Sequence, residues 1–280
     1  MANVKRVHYY HADATALGGH IETPFEQMIP VLAPSSLPPV GGYAVVRAER
    51  FRLEGILSFE SAYTQVAGSV SHKTGGWTTL ATSVVEKLNV LEVITADRVV
   101  SQIATEHPLA GHNPKVTFVG TKFENLCISG NPIEPVLDLD ICGHDLEAEQ
   151  FPKKCPFEDE RFLAAAAEQY RRMNDEKSLP PWVKSRSIPS WVRERYTWDN
   201  AQRAERGCVL CSVVTQVNGE FPGRPFGSVL TIPEIGKVFL GELLVDRNTY
   251  RLIGMRVELG CTTSGSATLS AASIEGSTHP

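Results

Sequence analysis

The chain has 280 residues, 42% hydrophobic and 21% charged, which is the profile of a folded protein and excludes a disordered tail or a fibre. Its 27 Lys and Arg against 32 Asp and Glu leave a net charge of -5, so general electrostatic binding to nucleic acid or anionic lipid, which needs a basic footprint, is not expected. Met1 to His8 lacks the apolar stretch of a secretory leader and no apolar run is long enough for a membrane-spanning helix, so the expected address is cytoplasmic and the six cysteines are expected to be reduced.

Val4 to His11 is rich in β-branched and aromatic residues and predicts a first strand. Residues 29–42 hold Pro30, Pro34, Pro38, Pro39, Gly41 and Gly42 and predict a loop. From Tyr43 to His107 the pattern is β, with a hairpin turning at Lys73 to Gly76 and a further turn or bulge at Leu88 to Val90. Shorter strands are expected at 116–119 and 126–129.

Residues 156–178 change character. Pro156 suits a first helical position, Glu158, Asp159 and Glu160 suit the positive end of a helix dipole, and Phe162, Ala166, Tyr170 and Met173 recur at helical spacing. A second helix is predicted from Ser190 to Arg206, capped by Ser190 and ended by Gly207. The β pattern then returns, with its clearest hairpin formed by Val238 to Val245 and Tyr250 to Leu259 around Asp246 to Thr249. Ser264 to Pro280 is small and polar, and fraying is expected from Gly276.

The expected fold is therefore mainly β: an antiparallel sandwich or barrel made by residues 1–150 and completed by 208–275. A helical, Trp/Arg-rich insertion occupies 151–207, and 276–280 is a flexible tail. A two-domain split near residue 180 is the alternative, weakened by the small core it would leave to the C-terminal strands.

Several groupings invite chemistry. Cys208 and Cys211 have a metal or redox spacing, with Cys142, His144 and Cys155 as further ligands, but residues three apart on a strand face opposite ways, so buried thiols are favoured. His8 and His11 are metal candidates under the same objection. Asp138 and Asp140, two apart, would share one face of a strand beside His144 and offer a carboxylate/His site, against a solvated acidic face as the plainer account. No nucleophile elbow, dinucleotide fingerprint or phosphate loop occurs, and the sequence specifies no cofactor.

Trp182, Trp191, Arg193, Arg195 and Trp198 mark a segment whose Trp and Arg content is typical of protein interfaces. Residues 58–84 alternate Ser, Thr, Ala and Val like a pore-forming hairpin, yet Glu60 and His72 bracket the apolar face. The expected function is a non-enzymatic binding or assembly protein acting on a protein partner or on itself. A metal-dependent enzyme and a β-hairpin pore former are the alternatives.

Overall fold

The alternating segments pair into two large antiparallel sheets that face one another across the core. The computed structural model describes residues 6–53, 55–109, 113–143, 151–197 and 207–279. Among them one sheet has eight strands and the other nine. In the first, Gly42–Leu53, Leu57–Val70, Trp77–Val90 and Ile94–His107 run up and down in chain order. The far side of Ile94–His107 takes the short strands Lys115–Thr117, Lys122–Glu124 and Cys127–Ile128.

The second sheet is ordered Arg224–Phe226, Val229–Ile232, Gly236–Val245, Thr249–Gly260, Ser264–Glu275, Ala12–Thr23 and Gln27–Leu32. N-terminal and C-terminal segments thus share one sheet. Glu134–Leu137 pairs with Val214–Asn218 as a separate ribbon.

Alternation places Ala62, Val85, Val99 and Phe59 of the first sheet against Leu17, Met255, Val257 and Leu269 of the second, all buried. Hydroxyls stitch the faces together. Ser83 donates to the Thr15 carbonyl at 2.9 Å, Ser101 to the Ser270 carbonyl at 2.6 Å and Ser270 to the Ser83 carbonyl at 2.8 Å. Each buried donor finds its acceptor only when the two sheets sit in one relative position, so these bonds specify alignment as well as satisfying polar groups. Gly254 lies where they meet, and a Cβ there would stand 2.6 Å from Ser101 Oγ.

The helical stripe forms as predicted. Asp159 caps α1 (Glu160–Met173) by accepting from Arg161 N, and Phe162, Ala166, Tyr170 and Met173 are its buried residues. The helix grips the Val209–Ser212 strand, with Gln169 exchanging two hydrogen bonds with the Ser212 backbone and Tyr170 donating to the Leu210 carbonyl. α2 (Ser190–Arg195) is short and begins after Pro189, not after a Ser190 cap; residues 198–206 of the predicted helix lie outside the described residues.

Three expectations are corrected. The first strand is split: Val7–Tyr9 pairs with Ser277–His279, and a new strand runs over Ala12–Thr23. The expected loop at 29–42 contains part of the Gln27–Leu32 strand, where Pro30 is tolerated because this is a sheet edge and needs no donor on its open side. Ser277–His279, in the tail expected to fray from Gly276, is a strand paired with Val7–Tyr9, and the polar run before it completes the core as an interior strand. Ser264–Glu275 is paired on both sides, and the small side chains of Ala267 and Ala272 let the facing sheet approach closely. The turn after Trp77–Val90 falls at Leu91 and Glu92, both at positive φ, with Asn89 accepting from Glu92 N at 2.9 Å.

Candidate functional site

The Trp/Arg-rich segment lies on the nine-stranded sheet. Trp182 meets Phe221 edge-on at 5.3 Å between ring centroids, and Trp191 meets Phe226 at 6.0 Å with Lys237 Nζ 4.8 Å from its own ring centroid. Both tryptophans are half-buried and pack against the buried cluster that holds Val183, Ile188 and Val192. Arg193 is exposed, whereas Arg195 turns inward to Glu242 at 3.3 Å. Trp198 lies outside the described residues.

Beneath α2 these side chains join a charged cluster. Arg256 donates twice to buried Glu242, at 2.6 and 2.8 Å, and also to Glu258, while its guanidinium lies 3.7 Å from the Phe239 ring centroid. Burial works against the Arg256 charge, but the bonds to Glu242 and Glu258 outweigh it and hold the pKa above its ordinary value. Glu258 shows the converse: burial pushes its carboxyl up, and Arg256 with Lys237 brings it below the usual range. The cluster ties α2 to the sheet.

The metal candidates are dispersed. His8 is buried, whereas His11 is exposed between Asp13 at 3.1 Å and Glu275 at 3.4 Å. Cys211 is buried in the core near Cys142, and burial pushes both thiols up, away from the thiolate that a metal requires. Cys208 is half-buried immediately before the Val209–Ser212 strand. The Asp138 and Asp140 expectation is corrected in its premise: both follow the Glu134–Leu137 strand in a turn, where Asp138 Oδ1 accepts from Asp140 N at 3.3 Å. His144 lies outside the described residues. No group of three or more His, Cys, Asp or Glu able to hold a metal occurs among the described residues.

Sequence reasoning missed a lateral face of the sandwich. Six of the twelve exposed large apolar side chains among the described residues fall between residues 25 and 45: Phe25, Met28, Val31, Val40, Tyr43 and Val45. They flank two sheet edges. Gly42–Leu53 ends the eight-stranded sheet and Gln27–Leu32 ends the nine-stranded one, with no strand on the outer side of either among the described residues. The Thr64 hydroxyl, one strand in from the first edge, donates to the Ala33 carbonyl at 2.7 Å and ties the two edges together. An exposed apolar grouping beside unpaired strand edges is what a protein contact surface offers. The prolines of 29–42 hid it, because they read as a loop.

A family model described as a domain of unknown function, DUF8256, matches residues 8–246. The chain belongs to the DUF8256 family. No curated protein and no solved structure matches it. The span matched by DUF8256 contains the whole lateral face and the helical segment, and it ends in the turn before Thr249–Gly260.

A second feature of this DUF8256 chain is a buried histidine pair where its two ends meet. The His8 ring stacks on Trp77 at 5.3 Å, stands edge-on to Tyr10 at 4.6 Å and lies 4.5 Å from the His107 ring. His8 Nδ1 bonds Thr278 Oγ1 at 3.0 Å, whereas His8 Nε2 and His107 Nδ1 have no hydrogen-bond partner among the described residues. Burial lowers both pKa values to about 4, and for His107 the neighbouring His8 lowers it further while a backbone bond to Gly276 opposes the shift. A Cβ on Gly276 would sit 3.0 Å from His107 Cε1 and 3.2 Å from His8 Cε1, so glycine is what lets the C-terminal strand close over the rings.

Proposed function

We propose that this DUF8256 protein is a non-enzymatic assembly protein that associates with other copies of itself through the lateral face and the open Gly42–Leu53 edge. The observation that carries this reading is the concentration of Phe25, Met28, Val31, Tyr43 and Val45 beside a 12-residue edge strand with no proline. Such an edge presents a row of backbone donors and acceptors that a further strand can satisfy, and the flanking apolar groups gain by leaving water. Trp182 and Trp191 of the Trp/Arg-rich segment already pack on Phe221, Phe226 and Lys237.

The test is light scattering across a range of protein concentrations. The wild-type mass is expected to rise to a multiple of 30.7 kDa. A Val31→Lys/Val45→Lys variant is expected to stay at the single-chain mass while melting at the wild-type temperature, since both side chains are solvent-facing. A wild-type protein that keeps the single-chain mass at every concentration would overturn the reading.

A further inference from the structure

We propose that the assembly is a two-fold dimer in which Gly42–Leu53 pairs antiparallel with the same strand of a second copy, centred on Ala48, so that Arg47 of each copy meets Glu49 of the other. This rests on the assembly reading and adds the partner's identity and the register.

The edge carries Arg47, Glu49, Arg50 and Arg52. Charges on an edge strand ordinarily discourage pairing, so any strand that docks here has to answer them. Arg47 and Glu49 are two apart and exposed, so they project from the same face. Arg47 lies across the Tyr63 ring, its guanidinium 6.0 Å from the centroid, which places it on the side of the sheet away from the core.

An antiparallel pair related by a two-fold axis brings residues of the same face opposite each other, and the centre of symmetry decides which. Centring on Arg47 places arginine opposite arginine, and centring on Glu49 places glutamate opposite glutamate. Centring on Ala48 gives two Arg47–Glu49 pairs and a small residue at the axis. Like charges directly opposite destabilise a sheet and opposite charges stabilise it, which selects the third arrangement.

The faces of the strand agree with that register at its centre. Arg50 has φ 51°, and the ladder to the neighbouring strand keeps one register through Glu49↔Ser61 and Phe51↔Phe59. Exposed Arg47 falls opposite exposed Glu49, and half-buried Ala48 opposite itself. At the axis the two copies therefore keep core-facing positions on one side and solvent-facing positions on the other. The eight-stranded sheet then continues across the axis.

Charge reversal tests the register separately from the assembly. Arg47→Glu alone and Glu49→Arg alone are each expected to weaken the dimer by about tenfold or more, because each places two like-charge pairs at its centre. Mixing the two variants one to one restores both opposite-charge pairs, so the mixture is expected to recover the dimer mass by light scattering, as is the Arg47→Glu/Glu49→Arg double variant. Single reversals that leave a wild-type oligomer intact would overturn the register and leave the assembly reading standing. Single reversals that are disruptive but rescued by neither the mixture nor the double variant would overturn it as well. A wild-type protein of single-chain mass throughout would bring down both.

Discussion

Lowering the pH from about 6.5 to about 4.5 is expected to reduce the unfolding free energy by about 3–5 kcal/mol through His8 and His107 alone. Both imidazoles stay neutral in the folded chain down to about pH 4, whereas the unfolded chain takes up their protons near 6.5. Between those values the unfolded state binds more protons. Their neutral state therefore costs nothing above pH 6.5, and stability falls as the pH drops toward 4. The surroundings explain why the charge is refused: Trp77 stacks on His8, Tyr10 meets its edge, and Thr278 offers a hydroxyl, so the pocket is largely aromatic. Thermal melts at a series of pH values measure the effect. A His8→Phe/His107→Phe variant should lose most of this slope whatever its stability at neutral pH; a slope equal to that of the wild type would dispose of the assignment. Because the pair lies where Val7–Tyr9 meets Ser277–His279, acid should release these terminal strands first, visible as early hydrogen exchange there.

Replacing Glu242 with alanine is expected to destabilise the protein by about 3–5 kcal/mol, the cost of leaving a buried charge without its partner. Glu242 accepts from both Arg256 and Arg195, so one truncation takes from two guanidinium groups the buried carboxylate they share and leaves both to Glu258. For a domain of this size the melting temperature should fall by roughly 10 °C. The double variant Glu242→Leu/Arg256→Met should be less damaging than Glu242→Ala, since removing both charges avoids the uncompensated one. If the double variant melts lower than the single one, the cluster contributes through packing of the Arg256 stem on Phe239 more than through charge pairing. Far-UV circular dichroism with temperature separates the two outcomes.

Arg47 and Glu49 are exposed on the first sheet's rim, whereas His107 and Glu242 are buried within the fold. Charge reversal at the rim should leave the melting temperature of the single chain nearly unchanged, within about 0.5 kcal/mol in stability. That separation lets oligomer mass be read without a folding defect.

What the sequence determined by itself was the class of the fold and the character of its strongest segments. Local periodicity carries that information: alternation from Tyr43 to His107, the 3.6-residue stripe of Phe162, Ala166, Tyr170 and Met173, and the hairpin around Asp246 to Thr249 each report burial of one face. Although the sequence assigned 208–275 to the core, tertiary structure alone set Ser264–Glu275 between Thr249–Gly260 and the N-terminal Ala12–Thr23, because strand neighbours so far apart in the chain leave no local pattern. It also decided that His8 meets His107, a pairing of residues 99 positions apart that no local pattern encodes. The lateral face was illegible for the same reason. Phe25, Met28 and Val31 read as ordinary apolar residues near a proline-rich stretch, and only the strand order, which leaves Gln27–Leu32 and Gly42–Leu53 at the edges of their sheets, turns them into a surface. Periodicity records which side of a strand faces the core; which strand has no neighbour is a property of the assembled sheet.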